Sequence, residues 1–235
     1  LDALQNKLYS SVYLNMQVAP ASGAFCILDT TANSNSDTEL YSGIYLKYIN
    51  LYSENTVNND FSIYRGSYST EKSRDINFHS GWKNESSTDF FEHCNETFSD
   101  GTHYVLSPAS TIPDTWERAR YIYVPIRDYN DNIIGVCGYE INDLLFQLSY
   151  KTEAGRWGDI DCGLLDERND ICSGQFSSGR YNNIRNGLNI KKQRGSQLFD
   201  FGSEKCVGLI KEITLGNEIF SVVVMIQKTQ YESFL

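Results

Sequence analysis

The segment Arg118–Asn142 constrains this chain more than any other. It reads Arg-Ala-Arg-Tyr-Ile-Tyr-Val-Pro-Ile-Arg, then Asp-Tyr-Asn-Asp-Asn, then Ile-Ile-Gly-Val-Cys-Gly-Tyr-Glu-Ile-Asn. Two runs rich in β-branched and aromatic residues flank a short polar turn, which predicts a β-hairpin. Tyr121 and Tyr123 are two residues apart and therefore share one face of the first strand. The second strand closes on Glu140, a lone carboxylate in an apolar run.

With 235 residues, 40% hydrophobic and 21% charged, the chain has enough apolar material for one sizeable core or two small ones. Its formal net charge of −10 argues against nucleic acid as a partner, because phosphate recognition needs a concentrated basic face. The longest apolar run, Phe220 to Ile226, falls short of the roughly 20 residues that a membrane-spanning helix needs. Together with a start at Leu1, this leads us to expect a piece of a longer protein. The many Tyr, Asn and Ser residues suit an exported surface domain.

The six cysteines, at 26, 94, 137, 162, 172 and 206, form no CxxC pair and show no zinc-ligand spacing. Cys26 and Cys137 fall inside apolar strand patterns, as buried thiols do. Cys162, Cys172 and Cys206 lie in the C-terminal third, and a disulfide between two of them is the expectation for an extracellular domain. The sequence leaves the pairing open.

Along the chain, Leu1, Leu4, Leu8 and Val12 mark one apolar helix face over residues 1 to 18, ending before Pro20. Strands are predicted at 24–29, 43–49 and 61–66. From Ser67 to Pro113 periodicity fades into an irregular stretch with one or two short helices, including 89–96, and such long irregular segments are often functional. After the hairpin comes a short helix or connector at 143–150. The second half repeats the order: a strand at 160–166, an irregular region to Gln197, and a closing hairpin of 206–215 and 218–228 across Gly216-Asn217. The implication is two small antiparallel sheets, each with a face to be covered.

Strand, irregular middle, then a hairpin of the form Tyr-Val-Pro-Ile, Arg-Asp-Tyr-Asn-Asp-Asn, Ile-Ile-Gly-Val-Cys-Gly-Tyr-Glu-Ile resembles the Cache superfamily, and two such modules after a helix resemble its double-Cache sensor regions. The resemblance implies an α+β fold: a long N-terminal signalling helix (1–19) followed by two PAS-like Cache modules, each an antiparallel sheet flanked by helices and loops. The membrane-distal module (20–149) would bind ligand and the proximal one (150–235) would relay the signal. It also implies the outer face of a bacterial cytoplasmic membrane, a homodimer through the N-terminal helix and transmembrane helices on both sides in the parent protein. In amino-acid-binding members an aspartate at the hairpin's end holds the ligand's ammonium; here that position is Glu140. Those members carry an upstream Arg-x-Trp-Tyr motif, whereas the corresponding residues here are Asp89-Phe90-Phe91-Glu92-His93, so the ligand class stays open.

Residue chemistry suggests the same pocket. A small polar solute is held by a few convergent polar groups in an aromatic lining. Trp82, Phe91 and Tyr104 from the irregular stretch, with Arg120, Tyr121, Tyr123 and Glu140 from the hairpin, are the candidate ligand-binding residues. Arg120 could hold a carboxylate through paired donors and Glu140 an amine or hydroxyl. Each also has a structural reading: stacking under a helix for the tyrosines, a surface position for the arginine, an ion pair for Glu140.

Catalysis is not expected. His79, His93 and His103 lack metal-binding spacing, and no nucleophile elbow, Walker loop or dinucleotide fingerprint occurs. No cofactor or metal is expected. A secreted carbohydrate-binding or adhesion module is the alternative to a sensor.

Overall fold

The first helix buries a different stripe from the one its leucines outline. In the computed structural model, which describes residues 2–31, 41–49, 61–65, 77–78, 90–91, 94, 104–111, 117–142, 145, 160–166, 171–175, 189–193, 196–201, 204–215 and 218–235, helix α1 spans Asp2–Val18. Its buried residues are Gln5, Tyr9, Val12 and Met16, at spacings of four, three and four, while Leu4 is 44% exposed. The expected Leu1-Leu4-Leu8-Val12 face is thus rotated by about one position. The reason lies in what the helix packs on: the Gln5 side-chain amide donates to the Gly43 carbonyl at 2.9 Å, and Tyr9 and Tyr13 stack on each other with Tyr13 against Phe61. The helix ends ahead of Pro20, whose ring cannot continue it.

Two compact units follow the chain, Leu1–Leu145 and Phe146–Leu235. In the first, the strands are β1 (Gly23–Thr31), β2 (Tyr41–Tyr48), β3 (Phe61–Arg65), β4 (Asn77–Phe78), β5 (Val105–Leu106), β6 (Ser110–Thr111), β7 (Arg118–Arg127) and β8 (Ile133–Asn142). They form one sheet in the order β4-β3-β2-β1-β8-β7-β5, with β6 also on β7. The pairs are antiparallel except β3 with β4, which run parallel, a departure from the purely antiparallel sheet expected. β7 and β8 are the hairpin read from sequence. Its tip is held by Asp128, whose carboxylate accepts from the Asn130 and Asn132 amides at 2.8 and 2.9 Å and from the Asn132 side chain at 3.0 Å.

Strand alternation divides this sheet into two apolar faces. Ala24, Cys26, Ile44, Leu46, Phe61 and Ile63 meet α1. On the reverse, Phe25, Ile27, Tyr45, Tyr121, Tyr123 and Val136 pack with Phe90.

In the second unit, β9 (Asp161–Leu165), β10 (Ile171–Gln175), β11 (Asn189–Gln193), β12 (Ser196–Phe201), β13 (Glu204–Leu215) and β14 (Glu218–Gln227) form a sheet ordered β10-β9-β14-β13-β12-β11, and α2 spans Lys228–Glu232. β11 and β12 fall where the sequence reads as irregular; pairing along β13, as in Phe199 opposite Cys206, organises them. Of the pairings that the sequence leaves open, a bond between Cys162 and Cys206 is not formed. Cys162 pairs with Val224 on β14, whereas Cys206 pairs with Gln227 from the far side of that strand. They are two strands apart and out of step, well beyond the roughly 7 Å limit for bridging. The side chain of Cys172 lies outside the described residues.

Candidate functional site

Four neighbouring strands place Lys47, Gly23, Glu140 and Tyr121 directly opposite one another in a row across the first sheet. Residues opposed in this way share a face. The next row on that face is Tyr45, Phe25, Gly138 and Tyr123. Sequence order scatters these groups, and the strand order β2-β1-β8-β7 assembles them.

Glycine at position 23 makes the first row work. A Cβ there would lie 2.8 Å from the Leu46 carbonyl and 2.9 Å from the Tyr45 ring. Without one, the Lys47 ammonium reaches across β1 and donates to Glu140 Oε1. Lys47 also pairs with Glu117 Oε2 at 2.7 Å. The Ser22 hydroxyl donates to Glu140 Oε1 at 2.6 Å and accepts the Asn142 amide at 3.0 Å.

Two members of this cluster are buried and the third is not. Glu140 is 0% and Lys47 1% exposed, while the Glu117 side chain is 33% exposed. Removing a charge from water disfavours the ionised form. Burial accordingly pushes the Glu140 carboxyl up to about 8, against the opposing pull of the Ser22 hydrogen bond. Burial also pushes Lys47 below its ordinary value, partly countered by Glu117. Glu140 Oε2 is buried and makes no hydrogen bond among the described residues. A group of this kind can accept from an amine, amide or hydroxyl or, when protonated, donate to an oxygen.

The aromatic lining is contiguous with the acid. Phe90 sits with its ring centroid 5.0 Å from Phe25, 5.4 Å from Tyr121 and 5.3 Å from Tyr123, and the two tyrosine contacts are edge-on. Phe25 in turn meets the Tyr45 ring at 5.8 Å. These rings pack on one another within the core, each 2% exposed or less.

Of the residues proposed from sequence, Tyr121, Tyr123 and Glu140 share this face, and Phe91 packs half-buried against its aromatic cluster. Arg120 does not join them. It alternates with Tyr121 and so belongs to the opposite face, where Nη1 donates to the Ser107 carbonyl at 3.4 Å. Tyr104 lines a cavity of about 600 Å³ beside α1 and the β7–β8 hairpin, with Leu8, Val12, Ile122, Cys137 and Tyr139, and Phe25 and Tyr123 also border it. Trp82 lies outside the described residues. Sequence reading missed Lys47, Ser22 and Glu117. For Lys47 a signal existed: it is a lone cation in the apolar run Gly43-Ile-Tyr-Leu-Lys-Tyr-Ile, and a buried cation requires an acid.

No protein-family model matches the sequence, and no curated protein matches it either. Solved structures do match. The extracellular domain of the histidine kinase candidate soHK1S-Z6 superposes with a TM-score of 0.56 at 14% identity, covering 98% of this chain and 80% of that one. Methyl-accepting chemotaxis protein X gives 0.56 at 12% identity over 95% and 81%. The extracellular domain of the histidine kinase candidate vpHK1S-Z8 gives 0.51 at 11% identity over 97% and 75%. The chain has the fold of these three proteins. Within it, the Glu140 row and its aromatic neighbours occupy the sheet face turned away from α1.

Proposed function

We propose that this chain is the extracellular small-molecule sensor domain of a membrane-anchored bacterial signalling receptor, and that its ligand binds on the Glu140 face of the first unit. The carrying observation is the fully buried Glu140 carboxyl whose Oε2 makes no hydrogen bond among the described residues, set beside a cluster of buried aromatic side chains. Such a group costs free energy until a donor reaches it, so a ligand bearing an amine, amide or hydroxyl gains from meeting it. The domain has no catalytic role. Ligand shifts the population of sheet arrangements, and the shift leaves the domain through α1 and through its C-terminal end. The molecule pairs as a homodimer along α1, a reading supported by the exposed Leu4, Leu14 and Val18 on that helix. Its parent carries transmembrane helices on both sides; in this segment no helix among the described residues is long and apolar enough to cross a membrane.

A thermal-shift screen against amines, amino acids, carboxylates, nucleobases and sugars tests this directly, since a specific ligand raises the melting temperature by mass action. At least one donor-bearing compound is expected to bind, and Glu140→Gln and Tyr121→Phe to weaken it. A hit whose affinity is untouched by both changes would remove the site assignment. A parent gene encoding a signal peptide and a free C-terminus, without spanning helices, would remove the receptor reading.

A further inference from the structure

Cys26 on β1 and Cys137 on β8 are direct cross-strand partners. Both are free thiols, and both line the cavity beneath α1. The kind of pairing can be read from the backbone. The Cys26 carbonyl points toward β2, lying 2.3 Å from where a Cβ on Gly43 would sit, while the Ile27 carbonyl points toward β8, 2.8 Å from the corresponding position on Gly135. Even-numbered residues of β1 therefore hydrogen-bond to β2, and Cys26 faces Cys137 as a non-hydrogen-bonded pair. Opposed residues of that kind have Cα atoms about 4.5 Å apart and the closer side chains. A disulfide spans Cα separations of roughly 4.4–6.8 Å.

We propose that Cys26 and Cys137 are a redox-modification site, closing to a reversible cross-strand disulfide when a small-molecule disulfide enters the cavity under α1. Cys137 is partly exposed to that cavity and Cys26 is buried, so their roles differ. The Cys137 thiolate attacks one sulfur of the oxidant, whose S–S bond breaks and releases one thiolate. Cys26 then loses its proton and attacks Cys137 Sγ, expelling the second thiolate. Two protein thiols are oxidised, one small disulfide is reduced to two thiols, and the cysteine protons end on the leaving groups. Burial holds both thiols above their ordinary range, Cys26 up to about 11 with Cys137 adding to its shift. The pair therefore stays reduced without an oxidant and reacts faster as pH rises. The bond would tie β1 to β8 under Tyr9, Val12 and Met16 of α1.

The test is to incubate the folded full chain with glutathione disulfide at pH 7 and pH 9, then to measure intact mass and map peptides without reduction. The expected product has lost two hydrogen atoms and contains a peptide joining β1 to β8, forms faster at pH 9, and is reversed by dithiothreitol. In Cys26→Ser, Cys137 is expected to stop at a stable glutathione adduct; this variant keeps the buried volume and separates a chemical effect from misfolding. The proposal is overturned if Cys26 and Cys137 are recovered as free thiols, if a glutathione adduct on Cys137 persists in the unsubstituted chain, or if the link forms only after denaturation.

Discussion

Lys47 reaches Glu140 across an intervening strand, its ammonium passing over Gly23 to donate to Oε1. Two ionisable groups so deeply buried are costly when left unpartnered and tolerable as a hydrogen-bonded pair. Removing one partner of a buried pair typically costs about 3–5 kcal/mol, because the other is left without compensation. Lys47→Met should therefore destabilise the first unit strongly in chemical denaturation. Lys47→Met with Glu140→Met should cost much less than the sum of the single changes, whereas additive effects would show that the two do not act as a pair.

Glu117, the outer member of the cluster, is a third exposed and water screens it. Glu117→Gln should cost no more than about 1 kcal/mol. The same denaturation series measures it, and a loss comparable to Lys47→Met would mean that the outer acid carries the cluster.

Stability should fall as pH rises through the range set by Glu140. Its carboxyl titrates near 4.5 when unfolded and at about 8 in the folded protein. Between those values the native state holds a proton that the unfolded chain has released. The contribution is fully present below about pH 4.5 and lost as pH passes about 8, with a slope of at most about 1.4 kcal/mol per pH unit. Lys47, pushed downward, has the opposite sign and acts as pH approaches its ordinary 10.5. Denaturation midpoints at pH 5, 6.5 and 8 should decline, and Glu140→Gln should flatten the decline. An unchanged slope in that variant would exclude Glu140 as the titrating group.

Gly138 leaves room for the second row of the site. A Cβ there would sit 2.2 Å from the Ile122 carbonyl and 2.5 Å from the Tyr123 Cβ. Gly138→Ala must push β7 from β8 or displace Tyr123, a cost of roughly 1–3 kcal/mol. A lowered melting temperature with weaker binding of any ligand found by screening is expected; full retention of both would refute the close packing.

At the hairpin tip Asp131 has φ 67°, a left-handed conformation. Asp131→Gly should be tolerated, whereas Asp131→Val should lose about 1–2 kcal/mol, since a β-branched side chain clashes there. Comparing the two melting curves is sufficient.

The local elements were legible because they rest on local physics. Alternating apolar residues in 118–127 and 133–142 specify strands, and the polar turn between them makes an antiparallel pair nearly unavoidable. Asp128 could cap the turn because its partners, Asn130 and Asn132, lie within four residues. The face of α1 was misread by one position because what it packs on, Gly43 and Phe61, comes from distant chain. β11 and β12 were missed for a like reason, since they owe their order to β13.

Local rules suffice for a lone acid closing a strong hairpin and for Tyr121 and Tyr123 sharing a face, because side chains alternate along any strand. Tertiary structure alone decided what that acid meets. Lys47 lies 93 residues from Glu140, and only the order β2-β1-β8-β7 brings it, Phe25 and Tyr45 to the same face. Strand order is set by the burial of whole sheet faces, a sum over many distant residues that no single spacing encodes.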